Sequence, residues 1–192
     1  MIRPVSRGRS MSNVIPLERV ASVAIDLDRD LFLRRMLREL AGTIEAIVGE
    51  DEAAGFVAAV GAALGDWINA AYHAGMGPDD FDLETVAAVF VDLKRRIEGG
   101  FYIESIDAER IVLGNDRCPF GVHVQDRPSL CMMTSNVFGR IAADNLGYAR
   151  VELAQTIARG AKGCRIVVHL VPRDAVTPNE REYFRLPPEA AE

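Results

Sequence analysis

The chain has little of several things that usually reveal chemistry. Among 192 residues there are three cysteines, three histidines and one tryptophan, and aromatic residues make up 7%. No two cysteines form a CxxC pair. Three thiols do not build the disulfide framework of a small secreted domain. The basic start (Arg3, Arg7, Arg9) is not followed by the apolar stretch of an export signal. A cytoplasmic, reducing location is therefore expected, with the cysteines as thiols, ligands or both. Excess positive charge is also missing. The net charge of −6 excludes broad, salt-driven nucleic-acid binding, and the few aromatics exclude a base-stacking platform. No apolar run is read as long enough to cross a membrane. Neither nucleic acid nor membrane is expected as a direct partner.

What is present suits one globular domain with extensions: 49% hydrophobic and 26% charged residues. Residues 1–24 read as a flexible leader in which Met11 is an alternative start. Val23 and Ile25 are read as a short strand or as packing on the first helix. From Asp28 or Asp30, either able to cap a helix, apolar residues recur at helical spacing from Leu33 through Met36, Leu40 and Ile44 to Val48, and Gly49 ends the helix. Asp51 opens a second helix. Its expected buried face is Phe56, Val57, Val60, Leu64, Trp67, Ile68 and Ala71, with Gly61 and Gly65 letting another backbone approach. Asp82 caps a third, whose Lys94, Arg95 and Arg96 read as a solvated last turn.

The remainder alternates. Phe101–Ile106 and Arg110–Leu113 form a hairpin, a helix follows from about 129 to 145, and residues 148–156 and 164–171 form a second hairpin. Residues 173–192 read as a tail, a short helix and then disorder, with Tyr183 and Phe184 docking a partner or packing back. The expectation is an α+β fold over 25–172: N-terminal helices, then a four-stranded, mainly antiparallel sheet of two hairpins split by a helix.

All three cysteines lie in Cys118-Pro119-Phe120-Gly121, Pro128-Ser129-Leu130-Cys131 and Gly163-Cys164. With strand 110–113 running up, helix 129–145 down and strand 148–156 up, each cysteine falls at the same end of the sheet. Cys131 also sits in the first turn of a helix, which favours a thiolate. Soft thiolates suit zinc, copper(I) or an iron–sulfur cluster. Three sulfurs need a fourth ligand or an open position; His123 and Asp126 are in reach. His169 is less suited, because its odd offset from Cys164 puts it on the other face of the strand. Trp67 and Phe120 are candidate ligand contacts, with core packing as the plainer role for both.

Cys-Pro-Phe, then Leu-Cys opening a helix, then Gly-Cys opening an apolar strand, resembles methanogen output domain 1. It is also similar to the cysteine-bearing half of iron–sulfur repressors of the suf operon, which share the gap between Cys118 and Cys131. More distantly, the helices around Gly49, Ala53 and Gly61 resemble vinyl-reductase-like (4-vinyl reductase) and haem-NO-binding-like sensory folds. The resemblance spans roughly residues 25–172. It implies a 4-vinyl-reductase-like fold that senses a metal, a cluster or a small molecule. It further implies a homodimer that signals to a protein partner, with Cys118, Cys131 and Cys164 as ligands. Unlike the repressors, this chain has no further cysteine between the second and the last, and residues 1–25 are too few for a winged helix.

Two other readings stay open. Cys131 could be a nucleophile with His123 as its base. Alternatively, the cysteines fill the core of a structural interaction module.

Overall fold

A computed structural model describes residues 17–173, 177 and 179–185; most of the leader, including Met11, and residues 186–192 lie outside these. Leader residues Leu17–Ala21 form a short helix, α1. Val23 and Ile25 belong to no strand and are exposed. Three longer helices follow: α2 (Arg29–Val48), α3 (Glu50–Met76) and α4 (Leu83–Arg96). Asp28 caps α2 by accepting from the Leu31 amide at 2.8 Å, and Asp82 caps α4 through Thr85 at 2.9 Å. Gly49 alone separates α2 from α3, at φ +93°, a conformation that suits glycine.

The sheet has five strands, not four. β1 (Phe101–Asp107) and β2 (Arg110–Asn115) make the first hairpin. After two 3₁₀ turns, α5 (Cys131–Leu146) leads to β3 (Tyr148–Gln155) and β4 (Cys164–His169). The fifth, β5 (Glu180–Phe184), pairs antiparallel with β3, giving the order β1-β2-β4-β3-β5. It lies in the stretch read as a short helix and tail. Its inward apolar residue, Tyr183, packs on α5 over Gly139, where a β-carbon would strike the ring, and its hydroxyl meets Ser135 Oγ at 2.9 Å. Tyr183 therefore packs back on the domain, while Phe184 is exposed.

One face of the sheet is covered by α4 and α5, through Phe90, Phe138, Ile141, Ile111, Leu113, Val151, Ile166 and Val168. Phe90 and Phe138 stack at 4.2 Å. α3 lies along the outside of α5 and buries Ala53, Val57, Gly61, Gly65 and Asn69, each one turn from the next. A β-carbon on Gly61 would come within 2.9 Å of Asn136, and one on Gly65 within 2.9 Å of Arg140. The two glycines thus set the close approach of the helices. Asn69 accepts from Asn145 at 2.9 Å in the same seam.

This packing corrects the expected helix faces. Phe56, Val60 and Trp67 point away from the core, because the small residues of α3, not the large ones, allow contact with α5. On α2 the inversion is fuller. Leu33, Met36, Leu40 and Ile47 are exposed, whereas Arg38, Ala41 and Glu45 face the loop 118–130. Among the described residues α3 is also, by length and composition, the one helix able to cross a membrane. Here it is a packed element of the fold.

Candidate functional site

The three cysteines, distant in sequence, line one small cavity of about 30 Å³ at the end of the sheet. Cys118 follows β2 and opens the loop, Cys131 begins α5, and Cys164 begins β4, cross-strand from Asn115 at the end of β2. Phe101, Pro119, Phe120, Leu130, Leu153 and Ile166 close the walls, with Asn115, Thr134 and Thr156 supplying polar atoms. Gly163 is required beside Cys164: a β-carbon there would lie 2.8 Å from the Asn115 carbonyl.

Burial dominates the chemistry of these thiols. It pushes Cys131 up to about 12, with the other two sulfurs adding to the effect and the Thr156 hydroxyl opposing it. Cys118 is raised as well, again mainly by burial. The expected thiolate at a helix start is therefore not found. A 3₁₀ turn, Pro128–Leu130, precedes α5, and the Cys131 amide is spent on the carbonyls of Pro128 and Ser129. At neutral pH Cys131 is a protonated thiol.

Donors nonetheless point at the sulfurs. The Ile157 N–H donates to Cys164 Sγ at 3.4 Å. The Phe120 amide favours the ionised form of Cys118. Thr156 is buried, and its Oγ1 makes no hydrogen bond of ordinary geometry. Lys94, read from sequence as part of a solvated helix end, lies behind Thr134 of the cavity wall and donates to no sulfur. It is 5% exposed. Its Nζ donates to Thr134 Oγ1 at 2.8 Å and lies 5.2 Å from the ring centres of both Phe101 and Phe138. Burial lowers it to about 8, and the three cysteines are the groups that draw it back up. No ion pair joins it to a carboxylate among the described residues. A signal for this was present: Lys94 falls four residues after Phe90 and seven after Ala87, on the buried face of α4.

The other candidates are placed elsewhere. His123 is in the first 3₁₀ turn of the loop and does not line the cavity; its carbonyl accepts from Arg38 at 2.8 Å. Asp126 lies outside the cavity too, at φ +56°. Phe120 lines the cavity, but Trp67 lies on a groove of about 610 Å³ between α3 and α4. There Asp92 accepts from Tyr72, Arg95 and Arg96, which hold its carboxyl well below the usual range.

The three sulfurs do not all lie within 4.8 Å of one another, so they are not set for a single small ion. Two thiolates bound to one zinc stand about 3.8 Å apart, from a bond of about 2.3 Å and tetrahedral angles. Among the described residues only Glu152, His169 and Glu180 bring three ligand atoms within 4.8 Å of one another. That second set lies on the outer face of the sheet and is already crossed by cations. His169 Nε2 is 3.1 Å from Glu152 and 2.7 Å from Arg173. Arg173 donates to Glu180 at 3.3 Å, Arg150 stands 3.8 Å from the same carboxylate, and the Thr177 amide donates to it at 3.0 Å.

No curated protein matches the chain in sequence. The family model for methanogen output domain 1 matches residues 36–169, from within α2 to the end of β4, and takes in all three cysteines. The chain belongs to the methanogen output domain 1 family, a family of sensory and output domains.

Proposed function

We propose that the chain is a cytoplasmic sensory domain whose three thiols hold a metal centre, and that the state of this centre is passed to a protein partner. The observation that carries this reading is Lys94, a buried ammonium with no carboxylate partner among the described residues, which bonds Thr134 of the cavity wall and feels the charge of the three cysteines. A buried cation needs a counter-charge. Thiolates bound to a metal would supply it, and the donors to sulfur are the outer-shell contacts that such ligands use. Wide sulfur spacing favours an iron–sulfur cluster over a single zinc or copper(I) ion. With three cysteines, one iron would be left for another ligand or for an open position.

Loading would shift the loop 118–130, because the cavity is about the size of one water. That loop rests on α2. Arg38 donates to the carbonyls of His123 and Gln125, and Ser129 Oγ to Glu45. Ala41 packs with Val124 and Leu130 beside Cys118 and Cys131. A change at the sulfurs would thus reach the helical surface. Access is short, since a cleft of about 70 Å³ lies on the other side of Cys131, Leu153 and Thr156.

The test is metal and sulfide analysis, with a visible spectrum, of protein purified without oxygen. Iron and sulfide in stoichiometric amounts, lost in Cys118→Ala, are expected. Zinc without sulfide would move the reading to a structural or thiol-switch site. A colourless, metal-free protein with three titratable thiols would overturn it and leave the cysteines as core packing. The nucleophile reading keeps little, with Cys131 protonated and His123 outside the cavity.

A further inference from the structure

α2 and α3 each carry an apolar stripe that none of the described residues covers. On α2, Leu33, Leu40 and Ile47 recur at intervals of seven, with Met36 between them. On α3, Val60 and Trp67 are seven apart and Phe56 lies one turn before Val60. All are exposed, Ile47 to 76%, Trp67 to 67% and Phe56 to 59%. A helix that serves only its own core needs its apolar face toward that core. These helices bury Ala41, Ala53, Val57, Gly61 and Gly65, pack Leu64, Ile68 and Tyr72 half-buried against the core, and leave the stripe residues outside. A strict seven-residue repeat is the period that keeps a seam facing another helix over several turns.

We propose that the α2–α3 hairpin is a self-association surface, which packs against the same hairpin of a second copy of this chain as a four-helix contact. Three observations favour a second copy over other occupants. The stripes lie on two helices that touch and are joined by a single residue, so one hairpin carries both, with Trp67 also at the rim of the groove toward α4. The stripes themselves carry no charge, so an apolar seam meets an identical seam without repulsion at its centre. Each stripe residue is 40–76% exposed, together an apolar area on the order of the roughly 800 Å² that one partner gives to a standard stable interface.

The surface has a second property. α2 carries the seam on its outer face and the cysteine loop on its inner face, through Arg38, Ala41 and Glu45. If the cavity is the sensing site proposed above, α2 is the element that links it to the dimer; self-association itself does not depend on that reading.

The experiment is sedimentation velocity on the full chain at about 1 to 100 μM, with Ile47→Glu and Trp67→Glu beside it. Both positions are exposed, so the folded protomer should keep its far-UV circular dichroism and its thermal transition. The wild-type chain is expected at twice its 21.0 kDa mass. Each variant is expected to associate at least about a hundredfold more weakly, as hot-spot substitutions do. A monomeric wild-type chain overturns the proposal, whether the face then proves to be covered by residues 1–16 or to bind phosphatidylcholine–phosphatidylglycerol vesicles. A dimer unchanged in both variants overturns it as well. The readout needs no metal, so it stands or falls apart from the cysteine site.

Discussion

Strand β4 begins at Cys164 and ends at His169, and its two ends present opposite solutions to burying charge. At the first, on the core face, three thiols line a space whose Thr134 wall backs onto Lys94, a cation with no anionic partner among the described residues. At the second, on the outer face, Glu152, Glu180 and Glu182 interleave with His169, Arg150 and Arg173, and Glu182 is held below the usual carboxylate range by the Arg150 guanidinium. By distance alone the second end is the better metal site. By charge it is the poorer one, because guanidinium groups already occupy the directions in which an added cation would need to approach. Closeness of ligand atoms marks a site only when their charge is unspent.

The comparison can be broken most sharply by removing one charge at each end, because the account expects opposite signs. Glu180→Ala strips a buried carboxylate, 4% exposed, from its arginines and from the Thr177 amide. It should cost about 3–5 kcal/mol in urea unfolding, as breaking a buried pair does. Lys94→Met should instead stabilise the metal-free protein. Lys94 stands at about 8 in the fold against 10.5 when free, so between these values the unfolded chain binds more protons than the folded one. Stability therefore rises as the pH climbs from about 8 to about 10.5, and below 8 the full cost of the buried ammonium remains. The methionine variant should recover about 3 kcal/mol at neutral pH and flatten that rise. A loss of stability at neutral pH would show that the ammonium is already compensated.

A smaller effect isolates the strand that carries the carboxylates. Gly139→Ala pushes the Tyr183 ring off α5 and should cost about 1–3 kcal/mol as an overpacked contact. Hydrogen exchange should then quicken in β5 and in β3 beside it, while the amides of β1 and β2 keep their protection. The smallest expected effect is none at all. In a variant lacking all three cysteines, zinc added at micromolar levels should leave the melting temperature unchanged. A clear rise would mean that Glu152, His169 and Glu180 bind metal despite Arg173.

The sequence was most legible where a local pattern and the packing agree. The caps at Asp28 and Asp82, the two hairpins and the helix after Cys131 follow from turn residues and period. That the three cysteines line one cavity at the end of the sheet follows from topology, although their sulfurs do not draw together into one cluster. Legibility ended where packing reversed a pattern. The stripe of large residues on α3 signalled burial, which Val57, Leu64 and Ile68 follow, but contact with α5 required glycine and alanine, so Phe56, Val60 and Trp67 remained outside. β5 was hidden because the residues it turns to the outer face include Glu180 and Glu182, whose partners on β3 and beyond β4 are visible only in the sheet. Lys94 was hidden by its neighbours: beside Arg95 and Arg96 it looks like part of a basic helix end. Its register with Phe90 and Ala87 was the signal to weigh.

The measurement closest to the centre of this account is the iron and sulfide content of the wild-type, Lys94→Met and Lys94→Arg proteins, purified side by side without oxygen. If Lys94 is the counter-charge of an anionic metal–thiolate site, the wild type carries the cluster and the arginine variant retains most of it. The methionine variant then loses it, although its metal-free fold is the more stable. Equal content in the wild type and Lys94→Met would contradict the account, as would none in any of the three.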